Sequence, residues 1–247
     1  MKTRIVSLLM ILVLACAAPF SLSAQDKLTI AIPPSFVPFM FKKDGEWTGF
    51  EIELWRAVAE ANDWEYQFTT MNFSGILTAL QTARVDGAIA AITITSKREE
   101  VMDFSHPYYD SGLMLMVRAN NDSVEGPDDI EGKTLAVTQG TTAAEYAPKL
   151  DPADIKRFPR AEQAYLEVRT GRADAALHDT PNVQYYIRTA GSGQVKAVGP
   201  NLEAQSYGMA FPQGSDLREA FNITLLAMME DGRYDKLYKE WFGQTSD

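Results

Sequence analysis

Short apolar runs alternate with amphipathic segments along nearly the whole chain. Residues 28–32 are an apolar, partly β-branched run that Pro33 and Pro34 end, as a strand would be. Residues 36–41 form an aromatic turn, and Lys43-Asp44-Gly45-Glu46 reads as a hairpin turn. Apolar positions at helical spacing over 51–62 predict a helix, after which Trp64, Tyr66 and Phe68 alternate as in a strand. Ser74 is placed to cap a helix carrying Ile76, Leu77 and Leu80, and 88–92 is apolar throughout, as a buried strand is. This first stretch is a β-α-β-α-β run.

The second half repeats the alternation. Strands are predicted at 113–117, 134–137, 155–158 and 173–177, with a polar, turn-rich stretch at 120–127. Gly140-Thr141-Thr142 is a tight turn into a helix at 143–150, 161–170 is a second helix, and Thr180-Pro181 starts a third with proline at its first position. Strands at 195–198 and 207–211 precede helices at 217–229 and 235–242. An α/β chain of this length fits two lobes of roughly 100 residues each better than one large sheet.

The stretch from Gly87 to Tyr109 holds the first candidate chemistry. Thr93, Ile94, Thr95 and Ser96 lead out of a buried strand, and Ser96 with Glu99 three residues on reads as a capping box. Arg98 then falls in the first helical turn, where unpaired N–H groups and the helix dipole favour anions and disfavour a cation. A bound carboxylate or phosphate would meet it; a solvated arginine answering Glu99, Glu100 or Asp103 is the alternative. Thr93 and Thr95 put hydroxyls at the same strand end, where open α/β sheets bind ligands. The turn before the helix at 143 is a second candidate anion site.

Composition narrows the function classes. Lys2, Arg4 and the apolar stretch 5–18, ending near Ser21, Ser23 and Ala24, have the layout of a secretory signal over residues 1–24. A spanning anchor would need about 20 apolar residues. Cys16, the only cysteine, lies in that signal; lipid anchoring through it, from a faint lipobox at 13–16, is the alternative to a soluble periplasmic product. Without disulfides, a chain of this size is stabilised by its core. The net charge of −10 repels nucleic acid and anionic lipid. Two histidines, His106 and His178, offer no structural zinc site, and no Walker loop, dinucleotide fingerprint or nucleophile elbow occurs. No metal, cofactor or catalytic residue is expected.

The stretches FVPFMF, MNFSGI, AITITSKRE, QGTT, ADAALHDTPN and DGRYDKLYKEWFG together resemble the periplasmic solute-binding proteins of polar-amino-acid ABC transporters (family 3), most closely the glutamine-binding type. The resemblance implies a type II periplasmic-binding-protein fold, two α/β lobes joined by a two-strand hinge that closes around an amino acid. It implies a discontinuous first lobe, 25–109 with 206–247, a second lobe, 110–205, and hinge segments near 108–112 and 203–207. It gives Arg98 the ligand α-carboxylate and Asp179 the α-ammonium, with Thr93, the Ala91 carbonyl and the Thr142 amide as further partners. Phe36 and Phe73 would sandwich the aliphatic stem, and His178, Thr138 and Pro33 would face the ligand side chain. Ordinary core positions are the alternative for the phenylalanines, and a satisfied strand-end histidine for His178. His106 is expected to be structural.

The chain departs from the glutamine type at Pro33, where that type has an aspartate, and at Thr138, where it has a lysine; Ala91 and Thr142 replace glycines. The implied protein is a non-catalytic, monomeric receptor that delivers a neutral or polar L-amino acid, glutamine by default, to a membrane ABC permease. A cyclohexadienyl dehydratase acting on prephenate or arogenate shares this fold and is the competing function. Such an enzyme needs a proton donor in the cleft, and with Asp179 committed only His178 remains. A sensor input domain would be expected to continue past Asp247 into a membrane segment.

Overall fold

A computed structural model describes residues 27–243; the expected signal at 1–24 and Cys16 lie outside the described residues. The chain begins with β1 (Leu28–Ile32), a hairpin of β2 (Phe41–Lys43) and β3 (Glu46–Thr48), α1 (Phe50–Ala61), β4 (Tyr66–Thr70), α2 (Phe73–Gln81) and β5 (Gly87–Thr93). One helical turn, α3 (Ser96–Glu99), and β6 (Met102–Phe104) lead to the long β7 (Tyr109–Arg118). Then come β8 (Thr134–Thr138), α4 (Thr142–Tyr146), β9 (Asp154–Phe158), α5 (Ala161–Arg169), β10 (Ala175–Asp179) and α6 (Thr180–Arg188). The longest strand, β11 (Val195–Pro212), precedes α7 (Leu217–Glu230) and α8 (Arg233–Phe242).

The fold is two α/β lobes. In the first, β1 lies parallel between β4 and β5, and β5 pairs antiparallel with the end of β11. Alternate residues of these strands face opposite layers. Ile30, Ile32, Ile89 and Ala91 pack with Trp55, Val58, Phe221 and Leu225 of α1 and α7, while Ala31, Ala88, Ala90 and Ile92 pack with Ile76 and Leu80 of α2. Burial on both faces is why these strands are apolar throughout rather than alternating. The second lobe repeats the plan around β8, β10 and β7: Leu115, Val137 and Leu177 face Ala143 of α4, and Met116, Ala136 and Ala176 face Tyr165 and Val183. Each such large side chain contributes about 1.5–3 kcal/mol of burial.

Between these two groups of strands β7 and β11 run antiparallel, with Gln205 opposite Ser111, Ser206 opposite Asp110 and Tyr207 opposite Tyr109. The two strands expected at 195–198 and 207–211 are one strand, irregular in register between Val198 and Leu202 and between Leu202 and Gln205. Gly199, Pro200 and the left-handed Glu203 read locally as breakers, but the continuous β7 keeps a ladder beside them.

Local differences have local causes. The cap of α3 is Thr95 rather than Ser96: its side chain accepts the Arg98 amide, and Arg98 still falls in the first turn. Asn72, not Ser74, caps α2 by accepting the Gly75 amide at 2.8 Å. The helix expected over 143–150 is α-helical only to Tyr146, then 3-10 over Ala147–Leu150, because Pro148 has no N–H for the α ladder. Among the described residues no helix is long and apolar enough to cross a membrane, and no three potential ligands gather as a metal site.

Candidate functional site

The end of β5, the turn before α2, the turn before α4 and the end of β10 converge on one cavity. All ten residues singled out from the sequence line it: Pro33, Phe36, Phe73, Ala91, Thr93, Arg98, Thr138, Thr142, His178 and Asp179. Ser35, Asn72, Arg160 and Glu162 line it as well, so the wall carries one cation and one anion beyond those expected.

Arg98 is only 9% exposed, and its neighbours there are carbonyls rather than carboxylates. Its Nη1 donates to the Thr93 carbonyl at 2.7 Å and its Nη2 to the Gly140 carbonyl at 3.0 Å. Phe73 lies under the guanidinium, 5.4 Å from ring centre to carbon. Burial lowers the arginine pKa, with Glu145 and Asp179 opposing from a distance. Among the described residues no carboxylate comes within 4.0 Å of it. A buried cation so partnered has donors left over for an anion.

Asp179 ends β10 at 5% exposure, and its Oδ2 accepts from the Tyr207 hydroxyl at 2.6 Å. The second oxygen, Oδ1, is 3.6 Å from His178 Nδ1. That approach is not an ion pair. Nδ1 already accepts the Asp179 amide at 2.8 Å, which places the ring proton on Nε2, and burial holds the histidine pKa below its ordinary value. Oδ1 therefore remains able to accept. His178 also meets Phe36 at 5.6 Å and Tyr165 at 5.8 Å between ring centres.

Thr142 stands at the first position of α4, where the helix supplies no acceptor for its amide. The hydroxyls of Thr93 and Thr142 both donate to Gln205 Oε1, each at 3.0 Å, so what Thr93 offers the cavity is its oxygen. Thr138 Oγ1 is buried and has no hydrogen-bond partner among the described residues. Ala91 is left-handed, at φ 48°, and its amide meets the carboxylate of Glu51 at 3.0 and 3.1 Å. Glu51 is 1% exposed, and burial raises its pKa from 4.5 to about 7 against the lowering effect of Tyr108 and Ala91.

Polar contacts cross the cleft: Arg98 to Gly140, Ser74 Oγ to the Gln139 carbonyl at 3.2 Å, Lys97 to Glu145 at 2.9 Å and Asn182 Nδ2 to the Val37 carbonyl at 3.2 Å. Gly140 permits this approach, since at φ +77° a Cβ there would stand 3.0 Å from Ser74 Oγ.

Sequence reasoning missed Glu51, Gln205 and Tyr207. For Glu51 a signal existed: it precedes Leu54, Trp55 and Val58 at helical spacing on the buried stripe of α1. Gln205 sits in a polar run with no such cue.

Known proteins share this architecture. The curated relatives include a putative amino-acid ABC transporter-binding protein, PatH, of Vibrio harveyi, 29% identical over 90% of this chain and 91% of its own. Among solved structures, the arginine-, lysine-, histidine-binding protein ArtJ of Geobacillus stearothermophilus is 30% identical with a TM-score of 0.84, covering 89% of this chain and 96% of ArtJ. An ancestral arginine-binding protein bound to glutamine is 35% identical, also at TM-score 0.84, covering 88% of this chain and 98% of its own. The sequence profile of one family matches residues 28–244, and with the two-lobed fold and the cleft it identifies the chain as a member of the bacterial extracellular solute-binding proteins, family 3, amino-acid-binding receptors of ABC transporters rather than enzymes.

Proposed function

We propose that this protein captures one L-amino acid between its lobes and delivers it, as a monomer, to a membrane ABC permease. The observation that carries the proposal is the buried Arg98, held by carbonyls alone, in one cavity with Asp179 and its accepting oxygen. A zwitterion supplies the missing charge to both. Arg98 and the Thr142 amide take the α-carboxylate; Asp179, the Ala91 carbonyl and the Thr93 oxygen take the α-ammonium. Phe36 and Phe73 flank the stem, and Pro33, Thr138 and His178 face the side chain. The lobes, 25–109 with 206–247 and 110–205, close about 108–112 and 203–207. The signal over 1–24 exports the chain to the periplasm, where it acts in soluble form; anchoring through Cys16 is the alternative.

Glutamine is the proposed ligand. The unpartnered Thr138 hydroxyl favours a polar side chain, because a buried donor without a partner costs about 1–3 kcal/mol that a ligand amide relieves. Glu162 in the wall favours a second ligand class, the basic amino acids, though Arg160 beside the same space opposes it. A thermal-shift panel of the amino acids separates these. A ligand at 100 times its Kd stabilises by about 2.7 kcal/mol, or about 5–11 °C for a chain this long. Glutamine giving the largest shift supports the proposal, arginine or lysine alone would establish the second class, and no shift from any amino acid overturns both.

A further inference from the structure

The end of β5 departs from sheet geometry beside the cavity. Ile92 pairs with Gly208 and Ala88 with Ala210, so four steps of β5 oppose two of β11, and 89–91 bulge from that ladder. On the other side, pairing with β1 stops at Ala88. Ala91 is thus left without a strand partner for its amide. It also holds a left-handed conformation, φ 48°, that is costly for a residue with a Cβ.

The partner comes from α1. Both oxygens of Glu51 accept the Ala91 amide, at 3.1 and 3.0 Å, and the Tyr108 hydroxyl donates to the same carboxylate. Tyr108 is held in turn by the Tyr234 hydroxyl, which donates to its carbonyl. An acidic side chain only 1% exposed does not help a core pack. It does fix a backbone that no sheet neighbour fixes.

We propose that Glu51 is the positioning residue of the ammonium subsite: it holds Ala91 left-handed, so that the end of β5 presents its carbonyl to the ligand. This rests on the amino-acid-receptor proposal above. Glu51 touches no ligand; it acts through Ala91, and Tyr108 links it to the first hinge segment. A glycine at 91 would adopt the same conformation without help. Dependence on Glu51 should therefore weaken when residue 91 is glycine.

The test is a double-mutant cycle read by calorimetry with glutamine and arginine as probes, on unaltered protein, Glu51→Gln, Ala91→Gly and the double variant, with Asp179→Asn as control. Glu51→Gln is expected to weaken binding about tenfold with alanine at 91, and about threefold or less with glycine there, a coupling that mere destabilisation would not produce. The Ala91 amide resonance should move upfield in Glu51→Gln relative to unaltered protein. If Glu51→Gln does not fold, Tyr108→Phe removes a donor from the same carboxylate and enters the same cycle. Binding lost in Asp179→Asn but unchanged in Glu51→Gln, or the same loss in both backgrounds, overturns the positioning role and leaves the receptor proposal standing. No binding of either probe by the unaltered protein overturns both.

Discussion

Replacing Arg98 with alanine separates a ligand-binding arginine from a structural one. Truncating one member of a buried charge pair in a complex costs about 2–5 kcal/mol. From a micromolar start, near −8.2 kcal/mol, that leaves a Kd between tens of micromolar and several millimolar. The effect on the ligand-free protein should have a different size. An arginine in a buried protein ion pair costs about 3–5 kcal/mol when its partnership is broken. Arg98 has no such pair; it holds two carbonyls at 2.7 and 3.0 Å, and burial already disfavours its charge. Truncation relieves that desolvation and lets water reach the Thr93 and Gly140 carbonyls, so the terms nearly cancel. Ligand-free stability should change by no more than about 1 kcal/mol, or about 2–4 °C in Tm. Isothermal calorimetry gives the affinity and scanning calorimetry the Tm. Unchanged affinity, or a fall of about 10 °C or more in the ligand-free Tm, would refute the reasoning.

Three further outcomes are expected. Thr138→Val should raise ligand-free stability by about 1 kcal/mol, by replacing an unpartnered hydroxyl with a methyl, and weaken glutamine binding by about tenfold; a loss of stability on unfolding in urea would mean the hydroxyl is satisfied. Glu51 should make the protein less stable as pH rises from 4.5 to about 7, because across that window the folded state holds a proton that the unfolded state has released. The penalty is complete above about 7, so the urea midpoint of unaltered protein should drop relative to Glu51→Gln over this range; a pH-independent difference would sink the claim. Small-angle scattering should give a smaller radius of gyration with saturating ligand than without, and identical curves would rule out hinge closure.

Much of the α/β order was legible because strands buried on both faces and helices with one apolar stripe leave different local patterns. The run 28–32 coincides with β1, and the segment beginning at 161 with α5. What the sequence hid depends on distant partners. Nothing near 199–203 signals that β7 will carry β11 across a glycine and a proline as one strand. The caps moved by one or two residues because Thr95 and Asn72 compete with nearby Ser96 and Ser74, and backbone geometry decides between them. The ten expected residues among those lining the cavity were assembled by the resemblance; unaided, the local mismatch of Arg98 with a helix start, the hydroxyl of Thr93 at the same strand end and the turn before Thr142 pointed there. Glu51 meets Ala91 across 40 positions and Gln205 meets Thr93 across 112, separations beyond any local pattern.

Gln205 also separates two properties of such a receptor. Its single oxygen receives a hydroxyl from each lobe, at Thr93 and Thr142, and the contacts of Ser74 and Asn182 likewise join the lobes through protein atoms alone. On the proposed hinge closure, these bonds favour the closed form whatever lies in the cleft. Apparent affinity equals intrinsic affinity scaled by the fraction of molecules already closed, so where the open form dominates, about 1.4 kcal/mol added to or taken from these bonds moves Kd tenfold. The amino acid being recognised would not change. Drift at Gln205, Ser74 or Asn182 can therefore retune how scarce a nutrient the protein scavenges, while the residues that choose the nutrient stay as they are.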